Sequence, residues 1–364
     1  MLAACVSLLL QTGDPFESRQ PAPRHILLQR GGGTQETELA VHRALEWLSR
    51  EQRFDGAWQA SEQDYAIGVT GLSILAFLGA GHGFSSEMFG STVRRGAQFL
   101  LEAQDSEGCV GDRGVKYMYG HLLATAALAE ASGMGAPGKV RKAAQKAVDF
   151  LVASQNPGKG WRYSKRCGDN DTSVTGWAVM ALRSAERVGL TFPKSAYAGA
   201  LAWFDEASSE AGRTGYVSKN GRHSLIPGRG EEYDFHESLT ALAVLGRFLI
   251  QKDRKDHRLA FGLQMLAMDL PTDGRLTVDF YYWHVGTLAM FEAGGADGKR
   301  WTTWNGAVQS VLLGSQVTAG DFAGSWAPID RWTFDGGRVA ATALNTLTLE
   351  TYYRYVIRPK TEEK

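Results

Sequence analysis

The sequence predicts an all-α fold in which six helical hairpins close into a double ring, an (α/α)6 toroid. An amphipathic helix is followed by a glycine-containing turn and then by a helix that is apolar on almost every face. This pair recurs about every fifty residues, and self-similarity at such a period indicates stacked supersecondary units. Neither end of the array carries a polar capping unit, which favours a closed ring over an open solenoid.

The chain has 364 residues, which could make two average domains, but a repeat array needs no internal boundary. We therefore expect one toroid domain over residues 35–355. An apolar start and flexible linker over residues 1–34 would precede it, and a polar tail over residues 356–364 would follow it. Lysine plus arginine equals aspartate plus glutamate at 39 each, with no long basic run, so nothing favours a nucleic-acid partner. No apolar run approaches the ~20 residues that a transmembrane helix needs.

The first ten residues are apolar and lead into a segment rich in proline and glycine. One interpretation is the remnant of an export signal directing the chain to the cell envelope, and the other is a frayed apolar tail. Cys5, Cys109 and Cys167 show no CxxC or Cys/His spacing, which argues against a disulfide framework or a structural zinc site. We expect neither a metal nor a cofactor.

The first hairpin sets the pattern for the others. Val41, Ala44, Leu45 and Leu48 recur at helical spacing with charged residues between them, which predicts an outer helix with one buried stripe. The helix from residue 69 has no polar face and is expected in the inner layer, ending near residues 79–81. In the second to sixth hairpins, the outer helices should end near Gln104, Gln155, Ser208, Leu270 and Gln316, and the inner helices should cover residues 122–129, 174–182, 239–245, 285–291 and 339–349. In the fourth hairpin an extended loop over residues 209–235 joins the two helices.

Hairpins one, two, three and six share a glutamine where the outer helix ends, followed by glycine and, in three of them, tryptophan. The first copy reads ALEWLSREQRFDGAW over residues 44–58. We expect the glutamine to bind backbone groups at the helix end and the tryptophan to stack beside it, so that neighbouring hairpins are tied together. A structural role is therefore expected for Gln52, Trp58, Gln104, Gln155, Trp161, Gln316 and Trp326.

This run resembles the QW motif of the prenyltransferase and squalene cyclase superfamily, and the weaker copies extend the resemblance over nearly the whole chain. The segments DTSVTGW (residues 171–177), YYW (281–283) and GGRV (336–339) are similar to the prenyltransferase/squalene oxidase repeat proteins of planctomycete-type bacteria. The resemblance implies an α/α toroid with a central cavity. Most of those proteins have no known activity.

In a toroid of this kind every outer-to-inner loop opens at the same end, so residues that precede the inner helices should converge on the mouth of the cavity. Three histidines near these helix starts, with carboxylates such as Asp64, suit acid–base catalysis or a divalent metal. Alternatively, these residues cap the free N–H groups of the inner helices. The catalytic candidates are Asp171, Asp169, His121, His236 and His284, and the substrate-binding candidates are Tyr65, Tyr119, Trp177, Tyr282, Trp283 and Arg338.

The run Asp169-Asn170-Asp171-Thr172-Ser173 resembles the D-x-D-D-T-A motif with which squalene-hopene-type cyclases protonate an alkene. When the two are aligned on D-T, the acidic middle aspartate of the motif falls on Asn170. An amide cannot donate that proton, so protonation would fall to Asp169 or Asp171, of which Asp171 is the preferred candidate.

The leading interpretation is a toroid whose central cavity binds an apolar, isoprenoid-like molecule, with cyclisation or transfer as the implied reaction. The alternative is a non-catalytic binding or scaffold toroid for a protein or an envelope glycan. A third interpretation is a carbohydrate-active toroid that uses paired carboxylates such as Asp171 and Asp279.

Overall fold

The computed structural model describes residues 14–61, 65–114, 116–219, 221, 236–251, 254–274 and 277–354, together with the backbone of residues 224–225 and 232–233. The predicted fold class is confirmed. In these residues the regular structure is helical, apart from one pair of two-residue antiparallel strands in the long loop of the fourth hairpin, β1 (Ser224–Leu225) and β2 (Glu232–Tyr233).

Twelve helices form the six hairpins. The outer helices are α2 (Gln35–Glu51), α4 (Gly90–Glu102), α6 (Gly138–Ser154), α8 (Ser195–Ala207), α10 (His257–Met268) and α12 (Lys299–Ser315). The inner helices are α3 (Ala66–Gly79), α5 (Tyr117–Gly133), α7 (Thr172–Arg187), α9 (Ser238–Ile250), α11 (Phe280–Gly294) and α13 (Gly337–Leu349). A short 3₁₀ turn (Glu17–Arg19) and α1 (Pro21–Gly31) precede them, and α14 (Thr351–Arg354) follows them.

The ring closes in both layers. Each inner helix packs against the next, α3 on α5, α5 on α7, α7 on α9, α9 on α11 and α11 on α13, and α13 packs back on α3. In the outer layer α12 contacts α2. The inner helices are enclosed because they lack a polar face: every residue of α13 except Arg338 is buried. The first and last hairpins are therefore neighbours in space, as a toroid requires.

The glutamine and tryptophan units tie each hairpin to the next. Gln316 donates to the carbonyl oxygens of Gly324 in its own turn (2.9 Å) and of Ala40 in α2 (2.8 Å), which links the last hairpin to the first. Trp326 Nε1 donates to the carbonyl of Leu312 (2.9 Å), at the end of α12. The same arrangement recurs in the other copies, where Gln52 donates to Gly56 and Thr92, Gln104 to Gly108 and Ala143, Gln155 to Lys159 and Ala196, Trp58 to Leu48 and Trp161 to Leu151.

The turns in these units require glycine at one position. Gly324 has φ +95°, and a Cβ atom there would lie 2.2 Å from the carbonyl oxygen of Arg43. Gly56 has φ +89°, and its Cβ would lie 2.4 Å from the carbonyl oxygen of Arg95. The left-handed backbone and the close approach of the neighbouring helix both exclude a side chain.

The expectation of a flexible linker is wrong for residues 14–34. In this segment α1 packs on α14, with Leu27 and Leu28 buried. Arg19 is also buried, and its Nη1 lies 2.7 Å from Glu130 Oε2. Burial favours the neutral acid, but the charges of Arg19 and Arg354 lower the pKa of Glu130 to about 2. The segment is ordered because it buries leucines and completes an ion pair inside the ring.

Candidate aromatic and acidic site at the mouth of the ring

Asp171 is the most chemically distinctive residue at the N-terminal end of the inner helices. It is fully buried and caps α7, with its Oδ1 accepting hydrogen bonds from the Val174 backbone N–H (2.7 Å) and the Ser173 hydroxyl (2.9 Å). Its Oδ2 has no hydrogen-bond partner among the described residues, and Arg162 Nε lies 3.8 Å away. Burial raises the pKa of Asp171 to about 6, which brings this carboxyl close to titration at neutral pH.

Two loops hold this carboxyl in place. The backbone N–H of Asp171 donates to the carbonyl of Trp161 (3.0 Å), in the turn of the third hairpin. The next residue, Thr172, donates from its N–H to the carbonyl of Tyr216 (3.0 Å) and from its hydroxyl to that of Gly215 (2.6 Å), both in the fourth hairpin. Because both sides are fixed by the backbone, the orientation of the Asp171 side chain is set before any ligand arrives.

Aromatic rings surround Asp171 at this end of the ring. Trp177 on α7 stacks on Tyr281 of α11 with ring centroids 6.2 Å apart, and Tyr281 packs on Trp332 at 5.8 Å. Tyr119 packs on Tyr163 at 6.1 Å. These rings are partly exposed, so they form the surface of the mouth rather than a closed core.

Hydroxyl groups connect the rings to the acid. The Tyr119 hydroxyl is hydrogen-bonded to Ser173, which in turn donates to Asp171. The Tyr281 hydroxyl is buried, and burial raises the pKa of this hydroxyl while a hydrogen-bonding interaction with the Trp177 side chain lowers it. The carboxyl groups of Asp171 and Asp279 both act electrostatically on Tyr281, raising the pKa of its hydroxyl further beyond the effect of burial. Tyr281 therefore lies within electrostatic reach of two acidic side chains.

Asp279 belongs to a second group of buried acids. It caps α11 by accepting from the Tyr282 N–H (2.7 Å), and its Oδ2 accepts from Trp332 Nε1 (3.0 Å). Asp330, from the loop of the sixth hairpin, accepts from the N–H of Phe280 (3.1 Å). Burial and the charge of Asp279 raise the pKa of Asp330 to about 7. Burial is the larger of these two causes, and the second arises because two neighbouring acids cannot both ionise freely.

The three predicted histidines do not share a site. His121 lies between α5 and α6, where Nδ1 accepts from the Val110 N–H (3.1 Å) and Nε2 meets the carbonyl of Ala147 (3.2 Å). Burial lowers the pKa of His121 to about 4, so the ring is neutral at physiological pH. Both of its nitrogens are hydrogen-bonded to backbone groups of the protein. A group of three or more histidine, cysteine or acidic residues that could hold a metal is not found in the described part of the chain.

The other two histidines have separate surroundings. His236 is hydrogen-bonded to Asp269 (2.9 Å) and to the carbonyl of Thr277 (3.0 Å). Burial acts against its charge, but the hydrogen bond and charge of Asp269 raise its pKa overall. His284 lies further along the axis of the ring, where it stacks on Trp177 at 6.2 Å. Sequence spacing placed these residues near helix starts but could not give the direction of each side chain.

The remaining candidates divide between the mouth and the core. Tyr119 and Trp177 lie at the mouth, and Tyr65 is half-buried where α3 begins. Asp169 is exposed at the rim, 3.2 Å from Arg162 Nη1. Three of the predicted substrate-binding residues contact other parts of the protein. Tyr282 and Trp283 are buried, and the Tyr282 hydroxyl donates to the carbonyl of Asp269. Arg338 packs on Phe322 and donates to the Ser325 hydroxyl. Asp64 lies outside the described residues.

Three residues of this site were missed by sequence reasoning. Arg162 approaches Asp171, Tyr216 meets Tyr163 through their hydroxyls, and Asp330 joins Asp279. They lie in outer-to-inner loops rather than at the starts of inner helices. The signal that was available for Asp330 is the Asp-x-x-Thr spacing of its turn, in which Thr333 donates to Asp330.

A separate cavity of about 280 Å³ lies on the axis of the ring, towards the opposite end. Its walls come from the middle and C-terminal parts of the inner helices, including Leu122, Met180 and Leu347, with Trp177 and His284 among them. Charged side chains such as Arg183 and Glu186 lie at its outer end, where both are about one-third exposed. The stacked Trp177 and His284 rings thus contribute to a second chamber.

Comparison with known proteins agrees with the architecture. Residues 67–216 match the family profile of the squalene-hopene cyclase C-terminal domain. The resemblance to squalene-cyclase-like repeats that the sequence predicted is therefore confirmed for these residues, which make up less than half of the chain. A comparison with curated proteins gave no match.

Solved structures with the same fold carry out different chemistry. A cellobiose 2-epimerase from Spirochaeta thermophila is 14% identical with a TM-score of 0.65, covering 92% of this chain and 98% of its own. An α-1,6-mannanase from a Salegentibacter species is 9% identical with a TM-score of 0.61 (88% and 99% covered). The type II terpene cyclase MstE from Scytonema is 12% identical with a TM-score of 0.56 (87% and 98% covered). At these identities the likeness establishes the toroid fold alone.

None of the helices in the described part of the chain is long and apolar enough to cross a membrane.

Proposed function

We propose that this squalene-cyclase-like toroid binds an isoprenoid-like, largely apolar molecule at the aromatic mouth around Asp171. Asp171 acts as the proton donor in a cyclisation or transfer reaction. The observation that carries the proposal is Asp171 itself, a buried carboxyl among aromatic rings, whose Oδ2 accepts no hydrogen bond from the described residues and lies 3.8 Å from Arg162 Nε. It lies within the stretch that matches the cyclase profile.

The hydrogen bonds decide which oxygen carries the proton. Oδ1 already accepts from Val174 and Ser173, so a proton on Asp171 resides on Oδ2. With a pKa raised to about 6, about a tenth of the molecules carry this proton at pH 7 and about half at pH 6. Positive charge that develops on the ligand would be stabilised by ring faces such as those of Trp177 and Tyr281.

The same pKa limits the choice of substrate. A raised pKa keeps the proton in place but makes the acid weaker, and proton transfer is most efficient to an acceptor of matched basicity. We therefore expect Asp171 to protonate an oxygen-bearing isoprenoid, such as an epoxide or an allylic alcohol, more readily than a hydrocarbon alkene.

A second candidate function is favoured by a different observation. The buried Tyr281 hydroxyl interacts electrostatically with two buried carboxyl groups, those of Asp171 and Asp279. Paired carboxyls beside stacking rings suit a carbohydrate, and glycosidases use two such groups. The mannanase and the epimerase with this fold support the same possibility by analogy alone.

One assay separates the two candidates. Purified protein is incubated with squalene, oxidosqualene and a polyprenyl diphosphate, and in parallel with manno-oligosaccharides and cellobiose, and products are identified by mass spectrometry. We expect a cyclised or transferred isoprenoid that is lost in Asp171→Asn and retained in Asp169→Asn, since Asp169 is exposed at the rim. Isoprenoid turnover that survives Asp171→Asn would refute the assigned acid. Products from the sugars alone would establish the second candidate instead.

A further inference from the structure

The cavity at the far end of the ring has a chemical character of its own. One part of its wall consists of aliphatic side chains from several inner helices, Leu75, Leu122, Ala126, Met180, Leu249 and Leu347. The rest of the wall carries Trp177, His284 and the polar or charged side chains of Glu130, Arg183, Ser184, Glu186, Arg187, Glu292 and Arg354. A cavity of about 280 Å³ is at the small end of ligand-binding pockets, and it suits a molecule of roughly ten to fourteen non-hydrogen atoms. The aliphatic part accepts an apolar body, and polar recognition must come from the polar groups that line the rest.

His284 supplies one of those groups in a defined tautomer. It is 3% exposed, it forms part of the cavity wall, and its Nδ1 lies 3.1 Å from Thr348 Oγ1. The Thr348 hydroxyl donates its own proton to the carbonyl of Leu344 (2.9 Å), so Thr348 Oγ1 can only accept from His284. His284 is therefore protonated at Nδ1, which leaves Nε2 as a lone-pair acceptor in the neutral ring.

The acceptor nitrogen is not used by the protein. Among the described residues no hydrogen bond to His284 Nε2 is present, and the ring is fixed by stacking on Trp177. Burial disfavours the charged form and lowers the pKa of His284 to about 3, so the ring stays neutral at physiological pH. A buried, unused acceptor beside the aliphatic part of the wall favours a ligand that joins a hydrogen-bond donor to an apolar body.

We infer that this cavity is a second ligand site, distinct from the mouth around Asp171, that binds a small apolar alcohol whose hydroxyl donates to His284 Nε2. The aliphatic wall holds the hydrocarbon part. The ligand enters from the end of the ring where Arg183 and Glu186 are about one-third exposed. The site needs no chemistry at Asp171, so it stands whether or not the mouth is catalytic.

Matched probes test the hydrogen bond. Geraniol has eleven non-hydrogen atoms, and in its methyl ether a methyl group replaces the donor proton. The binding of both is measured by isothermal titration calorimetry. We expect geraniol to bind about tenfold more tightly than the ether, the ratio for one hydrogen bond at a buried acceptor. In His284→Phe, which keeps an aromatic ring against Trp177, this preference should disappear while the ether binds as before. Equal binding of the two probes to the wild-type protein, or a preference retained in His284→Phe, would overturn the assignment.

Two further measurements keep the test independent of folding and of the mouth. Ala126→Leu adds bulk to the cavity wall and should weaken both probes, with thermal unfolding checked in parallel; unchanged affinity would place geraniol elsewhere. Long-range ¹H–¹⁵N spectra of the free protein should show one histidine protonated at Nδ1 that is lost in His284→Phe. Protonation at Nε2 would contradict the tautomer. Turnover at Asp171 is measured separately, so either proposal can fail alone.

Discussion

The buried carboxyl of Asp171 predicts a pH-dependent stability difference between the wild-type protein and Asp171→Asn. Asparagine is as good an N-cap as aspartate, so the backbone N–H of Val174 keeps an acceptor. What changes is the charge. The folded-state pKa of Asp171 is raised from 3.8 to about 6, and at ~1.36 kcal/mol for each unit this corresponds to about 3 kcal/mol.

The sign follows from linkage. A carboxyl whose pKa is higher in the folded state than in the unfolded state contributes stability below pH 3.8, and that contribution is lost as pH rises through about 6. Relative to the wild-type protein, Asp171→Asn should therefore gain about 2 kcal/mol of unfolding free energy between pH 4 and pH 7, since part of the total falls below pH 4. Titration of the other groups is common to both proteins and cancels in the difference.

Urea unfolding at several pH values measures the effect, followed by both far-ultraviolet circular dichroism and tryptophan fluorescence. Coincidence of the two transitions is needed because repeat architectures can unfold in parts. Asp169→Asn is the matched control, since the Asp169 side chain is 71% exposed and lies beside the same Arg162. A flat difference for Asp171→Asn, or one that falls as pH rises, would refute the conclusion that burial dominates the ionisation of this carboxyl.

Three further predictions concern the ring. Gln316→Leu removes one hydrogen bond to the first hairpin and one within its own turn, and it should lower the unfolding free energy in urea by about 1–3 kcal/mol. Gln104→Leu, between interior hairpins, should lower it by no more. Gly324→Ala should lower the unfolding free energy more than Gly320→Ala. Both glycines have positive φ, but only at Gly324 would the Cβ meet a backbone carbonyl oxygen, at 2.2 Å. Equal unfolding free energies for the two variants would argue against that contact. Glu130→Gln leaves the buried Arg19 without its carboxylate and the buried Arg354 with that of Glu350 alone, and it should cost about 3–5 kcal/mol at pH 7. Because the folded-state pKa of this glutamate is lowered to about 2, the loss should shrink as pH falls from 4.5 towards 2, and a loss independent of pH would contradict the ion-pair explanation.

Most of the fold could be predicted from the repeat pattern in the sequence. Apolar periodicity separated the outer helix at residues 35–51 from the inner helix at residues 66–79, because a helix between two layers has no face on which charge is tolerated. The expected ties between hairpins were also found, as at Gln52, which bridges its own turn and α4. The sequence did not predict that the segment before residue 35 is ordered. Its contacts, with α14 and with Glu130, are distant in the sequence, and no local pattern indicates them.

The site was less predictable than the fold. Asp171 was recognisable from its own short motif, and the structure gives it the buried position that its proposed role requires. The histidines were predicted to share a site because they occupy similar positions near the starts of inner helices. In the structure His121 faces α6 and His236 faces Asp269. A shift of one residue in a helix turns a side chain by about 100°, so equivalent positions in degenerate repeats do not guarantee a shared direction.

The sequence by itself therefore determined the number of hairpins, the layer of each helix and the structural role of the glutamine and tryptophan units. These features depend on local periodicity and on contacts between consecutive units, which are written in every repeat. Tertiary structure alone decided that Tyr281 lies within reach of two acids, that Asp330 joins Asp279, and that His284 presents its acceptor to a separate chamber. Those relations arise between hairpins distant in sequence, and they exist only once the ring has closed.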